Sequence, residues 1–343
     1  MSKKNSSVIL KNGFKNFKEI SKVFLDFKNK INKLKNKSFL IAVSGGSDSL
    51  ALTALSKAYS YEKKVNFKYV LVNHNIRTKS AKEAKDVKKL LKKYNINLKI
   101  ITNKLEILNN IQSKARQIRY KKLSEYCLKN KIKTIITAHN LEDQVETFFI
   151  RLSRGSGLTG LSSMTSISKL NKNLNLLRPL LNTKKTLLRK ISLLIFGKYF
   201  KDPSNDDLKY LRTKIRSLKN PLKQRGIEYS QIIKSINNLA ASKKTLDQYF
   251  ISVFKETIKK QTTNEVILKH EKFKKLNDEA KLKIINYAIK IVSKKYYVPR
   301  SKKVLNLIKN LKIGDSHKYT LGGCLIVKNS DYLVFRKEKS RIS

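Results

Sequence analysis

Acidic residues are scarce in this chain: 24 Asp and Glu stand against 77 Lys and Arg, a formal net charge of +53 over 343 residues. So large a surplus points to a polyanionic partner, with nucleic acid the first candidate. Cysteine is almost missing. Cys127 and Cys324 are far apart and lack metal-ligand spacing, which excludes a disulfide framework and a clustered zinc or iron–sulfur motif, and fits a reducing cytoplasm. No apolar run approaches the roughly 18 residues of a membrane span, so no membrane association is expected. The N-terminal stretch has no signal-peptide core and, with few arginines and an early Glu, makes a poor transit peptide. Glycine is sparse too: five of the eleven lie in two short loops, at Gly45, Gly46, Gly155, Gly157 and Gly160.

Part of the charge is compositional drift, because Lys, Asn and Ile share AT-rich codons and all are abundant. Arginine is the more telling cation. Of the 13 arginines, ten lie between Arg77 and Arg225. In a chain that otherwise uses Lys, Arg is expected where a planar, bidentate donor is needed for phosphate or carboxylate.

At this length two domains are expected. Short apolar strands at Phe39–Val43, Phe67–Asn73, Asn97–Thr102 and Thr134–Thr137 alternate with helices near Asp48–Tyr61, Ser80–Tyr94 and Ile111–Lys129. This alternation predicts an α/β fold, a parallel twisted sheet with helices on both faces. It is preceded by an amphipathic helix from Phe14 to about Leu34. After it come Leu174–Leu177, a helix over Lys184–Phe196 and an almost continuous helical pattern from Tyr210 to about Lys260. A small α+β module closes the chain, with helices near Ala280–Ser293 and Lys302–Leu311 and two strands, Leu321–Lys328 and Tyr332–Arg336. The expected division is a basic N-terminal helix (1–37), a nucleotide domain (38–216), a helical connector (217–262) and a small α+β module (263–343).

Ser44-Gly45-Gly46-Ser47-Asp48-Ser49 lies between the first strand and the helix that follows. Such a loop aims backbone N–H groups and a helix N-terminus at one point, a site for a polyphosphate. It is neither a Walker loop nor GxGxxG. Asp48 among phosphates suggests an intervening Mg2+. His74 after the second strand and His139 after the fourth belong to the same sheet edge, where such folds bind ligands. In Thr137–Thr147, Glu142 and Glu146 share a helix face, as do Asp143 and Thr147. First-turn acids commonly complement the helix dipole. Here His139, Asp143 and Glu146 gather beside a phosphate loop in an acid-poor chain, which favours a metal or a cationic substrate. Arg116 and Arg119 stand three apart on one helix.

SGGSDS resembles the pyrophosphatase loop of the N-type ATP pyrophosphatases (PP-loop proteins). Together with VNHNIR, ARQIRY, TAHNLEDQVET, RGSGLTGL, Arg178-Pro179-Leu180-Leu181 and Lys201-Asp202-Pro203-Ser204-Asn205, it resembles the tRNA(Ile)-lysidine synthetase family over about residues 38–216. Asn73 stands where the family usually has Asp, Glu142 replaces a common Asp, and Thr213 and Lys214 replace Asn and Arg.

The resemblance implies a ligase that joins free L-lysine to C2 of the wobble cytidine of a CAU-anticodon isoleucine tRNA. It spends ATP to AMP and diphosphate through an adenylated cytidine. ATP would be held by Ser44, Gly45, Gly46, Ser47, Asp48 and Ser49, with Mg2+ on Asp48. Arg116 and Arg119 would meet the α-phosphate or the tRNA. Asp143 and Glu146 are candidates for lysine, and one of them or His139 for the proton. Arg119, Arg151, Arg154, Arg212 and Arg216 are RNA-binding candidates. A cytoplasmic tRNA-processing enzyme follows, with no protein partner implied. The rival readings are another PP-loop tRNA enzyme such as a thiolase, a GMP or NAD synthetase-like ligase, and a non-catalytic RNA-binding protein.

Overall fold

The computed structural model describes residues 14, 17–105, 107, 111–201, 203, 207–294, 299–311 and 317–338. The chain divides into two compact units, Met1–Leu239 and Ala240–Ser343.

The first unit is built on a six-stranded sheet. Its strands are β1 (Ser38–Val43), β2 (Asn66–Asn73), β3 (Leu98–Thr102), β4 (Thr134–Ile136), β5 (Ile167–Asn171) and β6 (Leu174–Leu177), in the order β3-β2-β1-β4-β6-β5. The pairs β1–β2, β2–β3, β1–β4 and β4–β6 are parallel, with Phe39 opposite Phe67 and Leu40 opposite Ile135. The α/β fold class expected from the alternation is therefore present. The edge strand β5 was not expected: it runs antiparallel to β6. Its alternating, half-exposed residues (Ile-Ser-Lys-Leu-Asn) give no apolar run to read.

Chain order reverses at β1, whose neighbours are β2 and β4. The crevice beyond the carboxyl ends of β1 and β4 is thus the topological switch point where such sheets take ligands. The helix Ser47–Glu62 starts there and is buried along most of its length, from Leu50 through Tyr59. It shares one core with Leu188, Ile191 and Ile195 of the helix Lys185–Phe196. The helix Lys18–Asn32 adds Ile20, Val23, Phe27 and Ile31 to the same core, with Phe27 edge-on to Tyr59 at 6.2 Å between ring centres.

The continuous helix expected from Tyr210 to Lys260 is broken. Helices Leu211–Ser217, Lys219–Gln224 and Tyr229–Thr257 replace it, and β7 (Ile258–Gln261) follows. The breaks have local causes. Pro221 lacks the N–H needed to continue the preceding helix but fits a first turn, and Gly226 takes φ +79 to leave the second helix.

In the second unit β7, β8 (Glu265–Lys269), β9 (His317–Leu321), β10 (Cys324–Lys328) and β11 (Tyr332–Lys337) form an antiparallel sheet ordered β7-β8-β11-β10-β9. Helices Asp278–Ser293 and Ser301–Asn310 cover one face, burying Ile284, Ile285, Ile308, Ile326 and Phe335. The segment Leu321–Lys328, expected as one strand, is a hairpin corner. Gly322 and Gly323, at φ +67 and +85, reverse the chain between β9 and β10, as a two-residue turn with positive φ at both positions requires.

Candidate active site

β1 ends at Val43, and the next six residues close a compact loop. The Ser44 N–H donates to Ser49 Oγ at 3.1 Å, the Ser44 and Ser49 hydroxyls lie 3.1 Å apart, and Ser49 Oγ donates to the Gly46 carbonyl at 3.0 Å. The Ser49 hydroxyl therefore ties the loop together. Gly46 precedes the helix without a side-chain cap, so the first-turn N–H groups remain open to an anion. Gly45 adopts φ +86, and a Cβ there would stand 2.6 Å from Val87 Cγ2. Gly45→Ala is expected to cost about 1–2 kcal/mol from the left-handed backbone alone, more with the clash, and to lose nucleotide binding. Thermal unfolding and ATP titration check this; an unshifted melting temperature would show that the loop does not need glycine here.

Asp48 sits in the first helical turn. Its Oδ1 accepts from Ser47 Oγ and its Oδ2 from Asn140 Nδ2, each at 3.1 Å. Burial pushes its carboxyl up to about 6, with Lys185 opposing and Asp143 and Glu142 adding to the rise. Asn140 also caps the helix Leu141–Leu152 in a reciprocal box: it accepts from the Asp143 N–H at 2.9 Å, and Asp143 Oδ2 accepts from the Asn140 N–H at 3.0 Å. Asn140 thereby fixes Asp143 and Asp48 at once. The Asn-x-x-Asp spacing before an apolar helix signals such a cap, but not its bond to the loop.

Glu146 is 2% exposed. Its Oε1 accepts from Arg216 Nε at 2.8 Å, and its Oε2 from Arg212 Nε at 2.7 Å and Arg216 Nη2 at 3.3 Å. Arg212 Nη2 also reaches Asp143 Oδ1 at 3.1 Å. Arg212 and Arg216, RNA candidates by sequence, thus lie against the acid pair. One helical turn separates them on Leu211–Ser217, so both face the same carboxylates. Glu142 accepts from the Lys185 backbone N–H at 2.9 Å and from Lys219 Nζ at 3.2 Å. A cleft of about 500 Å3 opens beside these groups, lined by Glu142, Glu146, Lys185, Arg189, Lys219 and Tyr229 among others.

Burial and the charges of Arg116, Arg178, Arg212 and Arg119 hold His139 well below the usual imidazole range. It is neutral and pairs with Thr137 Oγ1 at 2.8 Å. His74 is pushed down to about 4 by burial and by Arg119. Both of its ring nitrogens are buried without a hydrogen-bond partner among the described residues. Buried polar groups are ordinarily paired, so an orphaned imidazole on the edge that carries the SGGSDS loop fits a site that a ligand completes. Arg116 is exposed and lies over the Tyr120 ring at 5.0 Å; Arg119 is exposed as well.

The RGSGLTGL loop is held from within. Arg151 donates to the Gly160 and Ser163 carbonyls at 2.6 and 2.8 Å, and Gln144 bonds to Ser163 and Met164. Arg154 is exposed. Asp202, Ser204 and Asn205 of the KDPSN segment lie outside the described residues.

Residues 19–222 match the PP-loop domain family. A tRNA(Ile)-lysidine synthase of Wolbachia pipientis wMel is 34% identical over 322 residues, covering 92% of this chain and 74% of that protein. The chain belongs to the tRNA(Ile)-lysidine synthase family. A second relative of that name, from Orientia tsutsugamushi, is 32% identical and covers 89% of this chain and 71% of its own length. Membership in this synthase family bears out the resemblance and the ligase class expected from the motifs, and extends the match well beyond residue 216. Among solved structures, a U34-tRNA thiolase from Methanococcus maripaludis shares the fold. Its TM-score is 0.54 at 20% identity, over 64% of this chain and 79% of that one. No helix among the described residues is long and apolar enough to cross a membrane.

Proposed function

We propose that this synthase-family chain joins the ε-amine of free L-lysine to C2 of the wobble cytidine in an isoleucine tRNA with a CAU anticodon. The observation that carries the reading is the convergence of an open phosphate loop, Asp48 and the Asp143/Glu146 acid pair at one switch point. The cytidine C2 oxygen is a poor leaving group, so ATP first adenylates it and diphosphate departs. The lysine nitrogen then bonds to C2, the C2–O bond breaks, AMP leaves with the electron pair, and the surplus proton on nitrogen passes to one of the bases at the site, Asp143, Glu146 or the neutral His139. The loop N–H groups at Ser47–Ser49 would hold the departing diphosphate, and Arg116 and Arg119 would offset charge on the α-phosphate or the RNA. Asp143 and Glu146 present the acidic wall that meets the amine.

No three His, Cys, Asp or Glu side chains gather as a metal cage among the described residues. A single carboxylate beside a polyphosphate loop is the usual Mg2+ arrangement, completed by phosphate and water, and Asp48 fits it. Mg2+ held there would neutralise phosphate charge. The loose wobble base must leave its stack to reach the loop, and Arg151, Arg154 and the Lys-rich second unit are candidates to hold the tRNA, with strong salt dependence. A thiolase reading is disfavoured by the cysteines. Both are buried, and burial pushes the Cys127 thiol up to about 12, so no ready thiolate is at hand. A cytoplasmic location follows from the substrate.

The pH dependence has a definite sign. The raised carboxyl of Asp48 means that, without ligand, its contribution to stability is fully present below the unfolded value near 3.8 and is lost as pH rises through about 6. Mg2+–ATP needs the ionised form. Its affinity is therefore expected to rise between pH 5 and 7, with proton release on binding that Asp48→Asn abolishes. Calorimetry in buffers of different ionisation enthalpy measures this, and a flat profile would contradict it.

The activity itself is tested with labelled lysine, ATP and Mg2+ on an unmodified isoleucine tRNA transcript, with methionine tRNA as control. Incorporation into the isoleucine tRNA alone supports the reading. Tight tRNA binding without incorporation overturns it.

A further inference from the structure

The SGGSDS loop sets two glycines side by side, the residues with the most backbone freedom to lose. Its serine hydrogen bonds close it from within, and two apolar side chains hold it from outside. Val87, 2% exposed on the helix Ser80–Lys92, and the half-buried Phe200 cover the side of Gly45 where a Cβ would project. Such a Cβ would stand 2.6 Å from Val87 Cγ2 and 3.5 Å from Phe200 Cδ2. The Phe200 N–H also donates to the Gly45 carbonyl at 3.0 Å. Gly45 is therefore held at φ +86 both by contact at its α-carbon and by a bond to its carbonyl. Phe200 comes to the loop from far along the chain. The helix Lys185–Phe196 ends at Gly197, whose φ of +70 turns the backbone. The chain then runs back beside that helix, with the Tyr199 ring 5.8 Å from the Arg189 guanidinium, and delivers Phe200 to Gly45.

Resting on the reading of SGGSDS as the ATP loop, we infer that Phe200, seconded by Val87, is a positioning residue for adenylation: it holds Gly45 in the left-handed conformation that aims the Gly46–Ser49 N–H groups at the phosphates. A released Gly-Gly segment would sample many shapes, and its ordering would then oppose ATP binding. With the clamp in place that ordering is completed during folding, and the loop meets the nucleotide in its binding shape. Phe200 acts only through the loop, so its effect belongs to the ATP step and not to lysine or tRNA.

The test titrates ATP onto the full chain and follows amide exchange of the loop in Phe200→Ala, Val87→Ala and Phe200→Leu, the last keeping an apolar cover. Ile132→Ala serves as a control: Ile132 is buried just before β4, at the opposite edge of the sheet from the loop. Phe200→Ala is expected to weaken ATP binding by about 10- to 100-fold, the scale of ordering one or two backbone residues. It should raise the KM for ATP, recover kcat at saturating ATP, and speed exchange at Gly45–Ser49 until ATP is added. Val87→Ala should act in the same direction more weakly, and Phe200→Leu should restore most of the affinity. The KM for lysine and the affinity for tRNA should stay as in wild type. Unchanged ATP affinity in Phe200→Ala overturns the assignment, as does an equal loss in the Ile132→Ala control at matched melting temperature. The titration needs neither lysine nor tRNA. A wild type that binds ATP but incorporates no lysine therefore fails the ligase reading alone, and the titration still decides the clamp.

Discussion

Asp48→Ala is expected to lower lysine transfer by about a thousandfold while leaving tRNA affinity within twofold. The magnitude is that of removing one preorganised electrostatic group from a reaction centre, about 10²–10³ in turnover. Two effects add. The substitution removes the carboxylate proposed above to share a divalent cation with the phosphates, and it frees Asn140 Nδ2 from its 3.1 Å bond to Oδ2. Asn140 would keep its cap on Asp143, so the acid pair should stay in place and the fold should hold. Single-turnover assays with excess enzyme separate loss of adenylation from loss of lysine transfer. A variant that still adenylates at the wild-type rate would remove Asp48 from the chemistry.

The second large effect concerns stability as much as turnover. Glu146 is 2% exposed and neutralises two guanidiniums. Removing one member of a buried ion pair typically costs about 3–5 kcal/mol, because the other charge is left uncompensated. Glu146→Ala should therefore melt well below wild type, and Arg216→Ala should lose less, because Arg212 still pairs with the carboxylate. The double variant is expected to recover part of the loss, since it leaves one fewer unpaired group. Chemical denaturation of the three proteins measures the coupling; additive losses would show that the pair is not a unit. Glu146→Gln tests function more cleanly, keeping shape and one acceptor while weakening the acidic wall.

The sheet could be read from the chain because β1, β2, β3 and β4 are short apolar runs separated by helices of matching period, and parallel strands buried on both faces must look that way. β5 escaped because an edge strand with one solvated face, Ile167-Ser168-Lys169-Leu170-Asn171, carries little apolar signal. The β9–β10 corner escaped because Gly322-Gly323 interrupts an otherwise unbroken apolar stretch. At the site, the loop and the TAHNLEDQVET acids were legible as local motifs. The partners of those acids were not. Arg212 and Arg216 lie more than sixty residues from Asp143 and Glu146, and nothing local distinguishes an arginine that meets RNA from one that meets a carboxylate. Lys185 and Arg189 were missed for the same reason: helical spacing gives their common face, but only the tertiary fold supplies what lies opposite.

The helix behind the phosphate loop is walled in on nearly every side, from Leu50 to Tyr59. Its first turn consequently has little room to rearrange when a nucleotide arrives. The amides of this helix should be among the last in the protein to exchange with deuterium, close to the limit set by global unfolding, with or without ATP. A catalyst made this way carries its anion socket ready-formed. The freedom needed to admit a bulky RNA must then come from elsewhere, and the exposed RGSGLTGL turn, tethered through Arg151, is where solvent exchange should slow when tRNA binds.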